Sequence, residues 1–128
     1  SEVWLDRNSR AKGIILRWRE HVVDGESHRT VTFRNQEWED IVVRAAESLD
    51  LTGHVLGQVL VDEDGSPHFV EINSRLGGAT PLSIACGLHS VEWFLRETAG
   101  EDLSSLSMFR APAGKRLIRK DDAVRIEI

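Results

Sequence analysis

The chain holds a single cysteine, Cys86. No disulfide can form within it, which fits a reducing compartment and sets the expectation of a cytoplasmic protein. Basic residues are in deficit, with 16 Lys and Arg against 21 Asp and Glu. The formal net charge of -5 argues against nucleic acid as a partner, because a phosphate backbone calls for a basic excess. A local basic pocket is still allowed. No apolar run approaches the roughly 20 residues of a membrane span, and no secretory leader is evident, so no membrane partner is expected. Internal repeats and low-complexity stretches are also lacking. What is present is ordinary: 128 residues, 41% apolar and 29% charged. That suffices for one core and one domain over residues 1–128. The chain opens on Ser1 and enters a strand with no turn or cap before it, which reads as a piece cut from a longer protein.

The periodicities point to alternating strand and helix units. Glu2 to Asp6 reads as a short strand. From Gly13 to Val23, Ile14, Leu16, Trp18 and Val22 alternate with Arg17, Arg19 and His21, the signature of a half-buried strand. Asp24-Gly25 is a hairpin signal and Ser27 to Arg34 its second arm. A two-residue loop there would set Glu20 opposite Arg29. After Asn35, a plausible N-cap, Trp38, Ile41, Val42, Ala45, Ala46 and Leu49 recur at helical spacing, with Glu37, Glu39, Asp40 and Arg44 on the other face. His54 to Glu63 is apolar on both faces apart from Gln58 and its terminal acids, which suits a central, covered strand. Thr80 with Pro81 predicts the cap and first turn of a short helix. Ser90 to Ala99 predicts another, with Val91, Phe94, Leu95 and Thr98 on one face. Glu101 to Ser107 reads as a polar loop, and Lys115 to Ile128 as one or two late strands (114–128) around Asp121-Asp122. These elements predict an α+β fold: an antiparallel β-sheet with helices packed on it, its core in residues 1–100.

One hairpin concentrates the chemistry. In VEINSR, Glu71, Asn73 and Arg75 are two residues apart and share one face of a strand. Asp64-Gly65 precedes them as a hairpin signal. If those two residues form the loop, Glu63 pairs with Ser66 and Gln58 falls opposite Glu71. A carboxylate and two amides then gather as oxygen donors for a hard cation such as Mg²⁺, with Arg75 as a fork for phosphate. A solvated polar face is the plainer reading. Against it, Phe69 shares the face and Leu60 and Leu56 lie opposite, so a carboxylate there would be buried without a partner. Gly77-Gly78 could bring backbone amides to a phosphate or merely turn the chain. Arg17, Arg19 and His21 could bind an anion or form a solvated charged face. The five histidines show no ligand spacing, and Cys86 lacks a basic neighbour, as an inert packing residue would.

The stretch from His68 to Glu101, HFVEINSRLGGATPLSIACGLHSVEWFLRETAGE, resembles the ATP-grasp superfamily, and most nearly the synthetase domains of the carbamoyl phosphate synthetase large subunit. Those carry a Glu-x-Asn-Pro-Arg strand end, a glycine-rich turn and a Thr-Pro-Leu-Ser-like helix. Ser74 stands where the proline is usual and Leu76 where an aromatic is. The likeness covers roughly residues 1 to 100 and is specific from Glu71 to Ser83. It implies that Gln58, Glu71 and Asn73 bind Mg²⁺ (or Mn²⁺) carried by ATP, and that Arg75, with Gly77 and Gly78, contacts phosphate. It implies the C-terminal lobe of an ATP-grasp fold, with the N-terminal lobe as a missing partner. The parent would be an ATP-dependent ligase that turns a small-molecule carboxylate into an acyl phosphate for attack by an amine or other nucleophile. This piece alone would be inactive. The alternative is a non-catalytic, ATP-grasp-derived interaction or dimerisation module, since strand edges cut from their lobe invite pairing into a homodimer.

Overall fold

The computed structural model describes residues Ser1–Ile128. In chain order its elements are β1 (Glu2–Leu5), β2 (Ala11–Val23), β3 (Glu26–Phe33), α1 (Gln36–Ser48), β4 (Gly53–Val61), β5 (Pro67–Asn73), α2 (Thr80–Ala85), α3 (Ser90–Thr98), β6 (Phe109–Arg110), β7 (Arg116–Lys120) and β8 (Ala123–Glu127). One sheet runs β5-β4-β1-β2-β3-β7-β8, with β6 added to β2. All pairings are antiparallel except the two-residue contact of β6 with β2. The expected α+β architecture is the one the chain adopts. No helix is long and apolar enough to cross a membrane.

Strand alternation sorts the core into two layers. Val3 and Leu5 of β1 join Ile14, Leu16 and Val55 beneath Val42 and Ala46 of α1. The other face carries Trp4, which packs with Ile15, Leu88, Trp93 and Leu103. Each of these large side chains contributes about 1.5–3 kcal/mol by burial. The α1 periodicity holds, and the Asn35 side chain accepts from the Trp38 amide at 3.1 Å, closing the first turn.

Several local expectations give way to tertiary packing. In the β2–β3 hairpin, Asp24 and Gly25 form the two-residue loop, both with positive φ. Paired irregularities at His28 and Glu20 then set Arg29 opposite His21 rather than Glu20, and Glu20 lies 3.9 Å from Arg116 instead. Glu39 is not on a solvent face: it is buried, bonded to Arg34 and Arg110. α3 turns the other way from its apolar stripe. Trp93 docks edge-on against Trp4, with ring centroids 5.4 Å apart, and this leaves Val91, Phe94 and Leu95 exposed. The loop after α3 is not purely polar, since Leu103 is buried against Trp4. β4 is covered only at its beginning; Val55 is buried, whereas Leu60 is 60% exposed. The late strands β7 and β8 form a hairpin that docks on β3, at the opposite edge of the sheet from β5.

Candidate functional site

The β4–β5 hairpin places the candidate residues by a route the sequence did not suggest. Its loop has three residues, Glu63–Gly65, not two. The Asp62 side chain accepts from the amides of Asp64 and Ser66, each at 2.9 Å, and Gly65 takes the left-handed conformation, with φ 80°. Ser66 therefore faces Asp62 rather than Glu63, since the Asp62 amide donates to the Ser66 carbonyl. Left uncorrected, this one-residue shift would turn every later side chain of β5 to the other face. A bulge at Val70 restores the register: Phe69 faces Val59, while Glu71 faces Gln58 and Asn73 faces Leu56. The Gln58–Glu71 pairing thus matches the expected one, whereas Phe69 moves to the α1 side of the sheet.

Glu71 and Arg75 are exposed, and Gln58 and Asn73 half-buried. The expectation of a carboxylate buried without a partner is therefore wrong: the outer half of the hairpin is open to solvent. Asn73 Nδ2 donates to Glu71 Oε1 at 3.1 Å, which leaves the Asn73 carbonyl oxygen unused. Arg75 donates only to the Leu76 carbonyl, at 3.0 Å. Neither Glu71 nor Arg75 forms an ion pair. A groove of about 710 Å³ is lined by Gln58, Glu71, Arg75, Gly77 and Gly78, with Trp18 and Phe33 on its apolar side.

The donor set limits what the groove can hold. No three His, Cys, Asp or Glu side chains anywhere in the chain cluster in a way that could hold a metal ion. The hairpin offers one carboxylate and two amide oxygens. So small a negative charge suits a divalent cation that arrives on phosphate rather than a bare ion, and the nearby guanidinium suits the phosphate.

Gly77 and Gly78 are closely approached by neighbouring side chains, and neither has a positive φ. A Cβ on Gly77 would lie 3.1 Å from Leu56 Cδ2, and one on Gly78 would lie 3.0 Å from Glu26 Oε1. The Gly77 amide is already committed, donating to Thr80 Oγ1 at 2.8 Å. Thr80 is accordingly the first residue of α2, and its side chain serves Gly77 instead of capping the helix.

Beneath this turn lies a polar centre that pattern reading missed. Glu2 is fully buried. Its Oε1 accepts from Arg17 Nη2 and from Thr80 Oγ1, both at 2.7 Å. His54 Nε2 stands 3.8 Å from Oε2, and His54 Nδ1 pairs with Ser90 Oγ at 2.8 Å. Burial alone would push the Glu2 carboxyl up, but the Arg17 guanidinium and His54 outweigh it and hold it down at about 2. The available signal was an acid in an otherwise apolar strand, Glu2 beside Val3, Trp4 and Leu5. Arg17 is thereby spent on Glu2. Arg19 folds onto its own hairpin, donating to Ser27 Oγ and the Gly25 carbonyl. The Glu20 bulge turns His21 to the opposite face, so these three residues do not make one anion site. Burial raises the Cys86 thiol, in keeping with a packing role.

The model of one protein family, described as an ATP-grasp in the biosynthetic pathway with Ter operon, matches residues 4–118. The chain belongs to this ATP-grasp family. Two solved structures share the ATP-grasp fold. One is the biotin carboxylase domain dimer of Hydrogenobacter thermophilus 2-oxoglutarate carboxylase, in complex with MgADP, ADP and bicarbonate. It has a TM-score of 0.75 and 21% identity, over 92% of this chain and 28% of that one. The other is the biotin carboxylase domain of a thermophilic 2-oxoglutarate carboxylase bound to bicarbonate, with a TM-score of 0.76 and 21% identity, over 92% and 29%. The ATP-grasp chain thus spans less than a third of either structure. No curated protein matches its sequence.

Proposed function

We propose that this chain is the Mg-ATP-binding half of an ATP-grasp ligase. The observation that carries the reading is the pair Glu71 and Arg75, opposite charges lining one groove, neither of them ion-paired within the chain. Most of the other strand charges are ion-paired within the fold, which leaves these two available to a ligand in the groove. In this reading Gln58, Glu71 and Asn73 hold Mg²⁺ (or Mn²⁺) through oxygen, and Arg75 clamps phosphate. The Gly78 amide, which has no partner in the chain, adds a phosphate donor. The bound cation would supply charge neutralisation during phosphoryl transfer. No protein nucleophile is called for. A carboxylate substrate attacks the γ-phosphorus, ADP leaves, and an amine or other nucleophile then displaces phosphate from the acyl phosphate.

The finer parts of the proposal rest on narrower support. Kinship to the carbamoyl phosphate synthetases rests on the Glu71–Ser83 motif alone. A preceding N-terminal lobe as partner is supported by the small share of the two solved structures that the chain spans. The second reading, a dimerisation module, is favoured by the open edge of β5 and by the dimeric state of one solved relative. Calorimetric titration of Mg-ADP into the full-length protein separates the two. We expect saturable binding that Glu71→Ala abolishes. No heat of binding from the unaltered protein would sink the ligase reading and favour the module.

A further inference from the structure

We propose that Thr80 is a positioning residue that, through Glu2, orients the glycine turn behind Arg75; the proposal rests on the nucleotide reading above. Thr80 sits at a junction it alone connects. Its hydroxyl is buried and has one proton to give. Glu2 Oε1 can only accept, and the Gly77 amide can only donate. The polarity is therefore fixed: Thr80 Oγ1 donates to Glu2 at 2.7 Å and accepts from Gly77 at 2.8 Å. Arg17, at 2.7 Å from the same carboxylate oxygen, keeps the acceptor charged and in place.

The consequence falls on Gly78. The Gly77 carbonyl accepts from the Thr80 amide at 3.0 Å, so it points back toward α2. The Gly77–Gly78 peptide is trans, as no cis bond occurs in the chain. In a trans peptide the N–H lies opposite the C=O. The Gly78 amide therefore points away from Thr80, and Gly78 lines the groove. A second tether holds the other side, where Arg119 Nη2 donates to the Gly78 carbonyl at 3.1 Å and pairs with Glu26 at 3.1 Å. Arg75 leaves the strand two residues before this clamped turn. Thr80 touches neither metal nor phosphate in this arrangement. It fixes the peptide plane that offers the Gly78 amide, and the base from which Arg75 reaches.

Two substitutions in the full-length protein test this. Thr80→Val keeps the shape and loses the hydroxyl; Thr80→Ser keeps the hydroxyl. We expect Thr80→Val to weaken Mg-ADP binding about tenfold, the affinity equivalent of one hydrogen bond, while Thr80→Ser stays within about twofold. Hydrogen exchange at the Gly77 amide, read by NMR without nucleotide, should accelerate in Thr80→Val and not in Thr80→Ser. Against an Arg75→Ala background, Thr80→Val should weaken binding by less than it does alone, because both act through one turn. Equal loss in the valine and serine variants, or full additivity with Arg75→Ala, overturns the positioning role. An unchanged Gly77 amide in Thr80→Val overturns the relay itself. An unaltered protein that binds no Mg-ADP overturns the nucleotide reading, a result distinct from either.

Discussion

Glu2 and Glu71 are carboxylates on the same face of one sheet, separated by a single strand. Glu2 faces Leu56 of β4, and Glu71 faces Gln58 two residues further along it. The fold treats them in opposite ways. Glu2 is enclosed and held by Arg17 and Thr80, with His54 close by. Glu71 is open and touched only by the amide of Asn73. A buried charge must be compensated inside the chain, and such a group is committed to the structure. A charge left at the surface, on a groove that an unpaired guanidinium also lines, keeps its capacity for a ligand. Two acids that look alike as letters thus separate into one committed to the structure and one left free for a ligand.

The sharpest way to break that contrast is to delete both carboxylates. Glu2→Ala leaves the Arg17 guanidinium buried and unpaired, a loss of about 3–5 kcal/mol that urea unfolding would register. That is a large share of the stability of a domain this size. Glu71→Ala should move stability by no more than about 0.5 kcal/mol. If the ligase proposal holds, the same change in the full-length protein should lower ATP turnover by about 10²–10³-fold or more. Comparable destabilisation by the two changes would mean that the contrast is not real.

Acid sharpens it next. The Glu2 carboxyl lies at about 2 when folded, below its ordinary value of 4.5. A depressed carboxyl contributes its full stability above the ordinary value and loses it as pH falls through the folded one. The shift corresponds to about 3 kcal/mol, given up between pH 4.5 and 2. Unfolding free energies measured across that window should fall, and a Glu2→Gln variant should lose this part of the slope. A flat profile for the unaltered chain would show that Glu2 is not held as described.

What could be read in the residues was whatever depends on near neighbours. α1 followed from Asn35 and a 3.6-residue period, and Glu71 and Asn73 from a period of two; Arg75 was expected on the same strand face but lies in the bend past the end of β5. Glu2 was opaque because its partners are remote: Arg17 lies 15 residues away and Thr80 lies 78. The bulges at Glu20 and Val70 were invisible because one extra residue leaves the apolar alternation nearly intact while it flips the face. α3 misled because two stripes competed, and Trp93 prevailed over Val91, Phe94 and Leu95 by reaching Trp4 across the sheet. β6 is too short for any period to register; Phe109 and Arg110 pair with Gly13 and Ile14 only because the core brings them there.

The smallest effect tests which feature of the hairpin sets the open face. Asp62 organises the loop, its Oδ1 accepting from Asp64 and Ser66 and its Oδ2 2.7 Å from His68 Nε2. The His68 contact, then the Ser66 and Asp64 amides, hold its carboxyl below the usual range. Removing those acceptors with Asp62→Ala should loosen the loop and lower the melting temperature by a few degrees. Asp62→Asn, which keeps an acceptor, should lower it less. Mg-ADP affinity of the full-length protein should change by less than about twofold in both. The reason is positional. The bulge at Val70 lies between the loop and Glu71, and the pairs beyond it, Gln58 with Glu71 and Leu56 with Asn73, are set by cross-strand bonds and by β1 on the far side of β4. If Asp62→Ala instead weakened nucleotide binding tenfold, the loop rather than the bulge would govern the register of the face. The exposed carboxylate would then depend on local turn chemistry as closely as the buried one depends on Arg17.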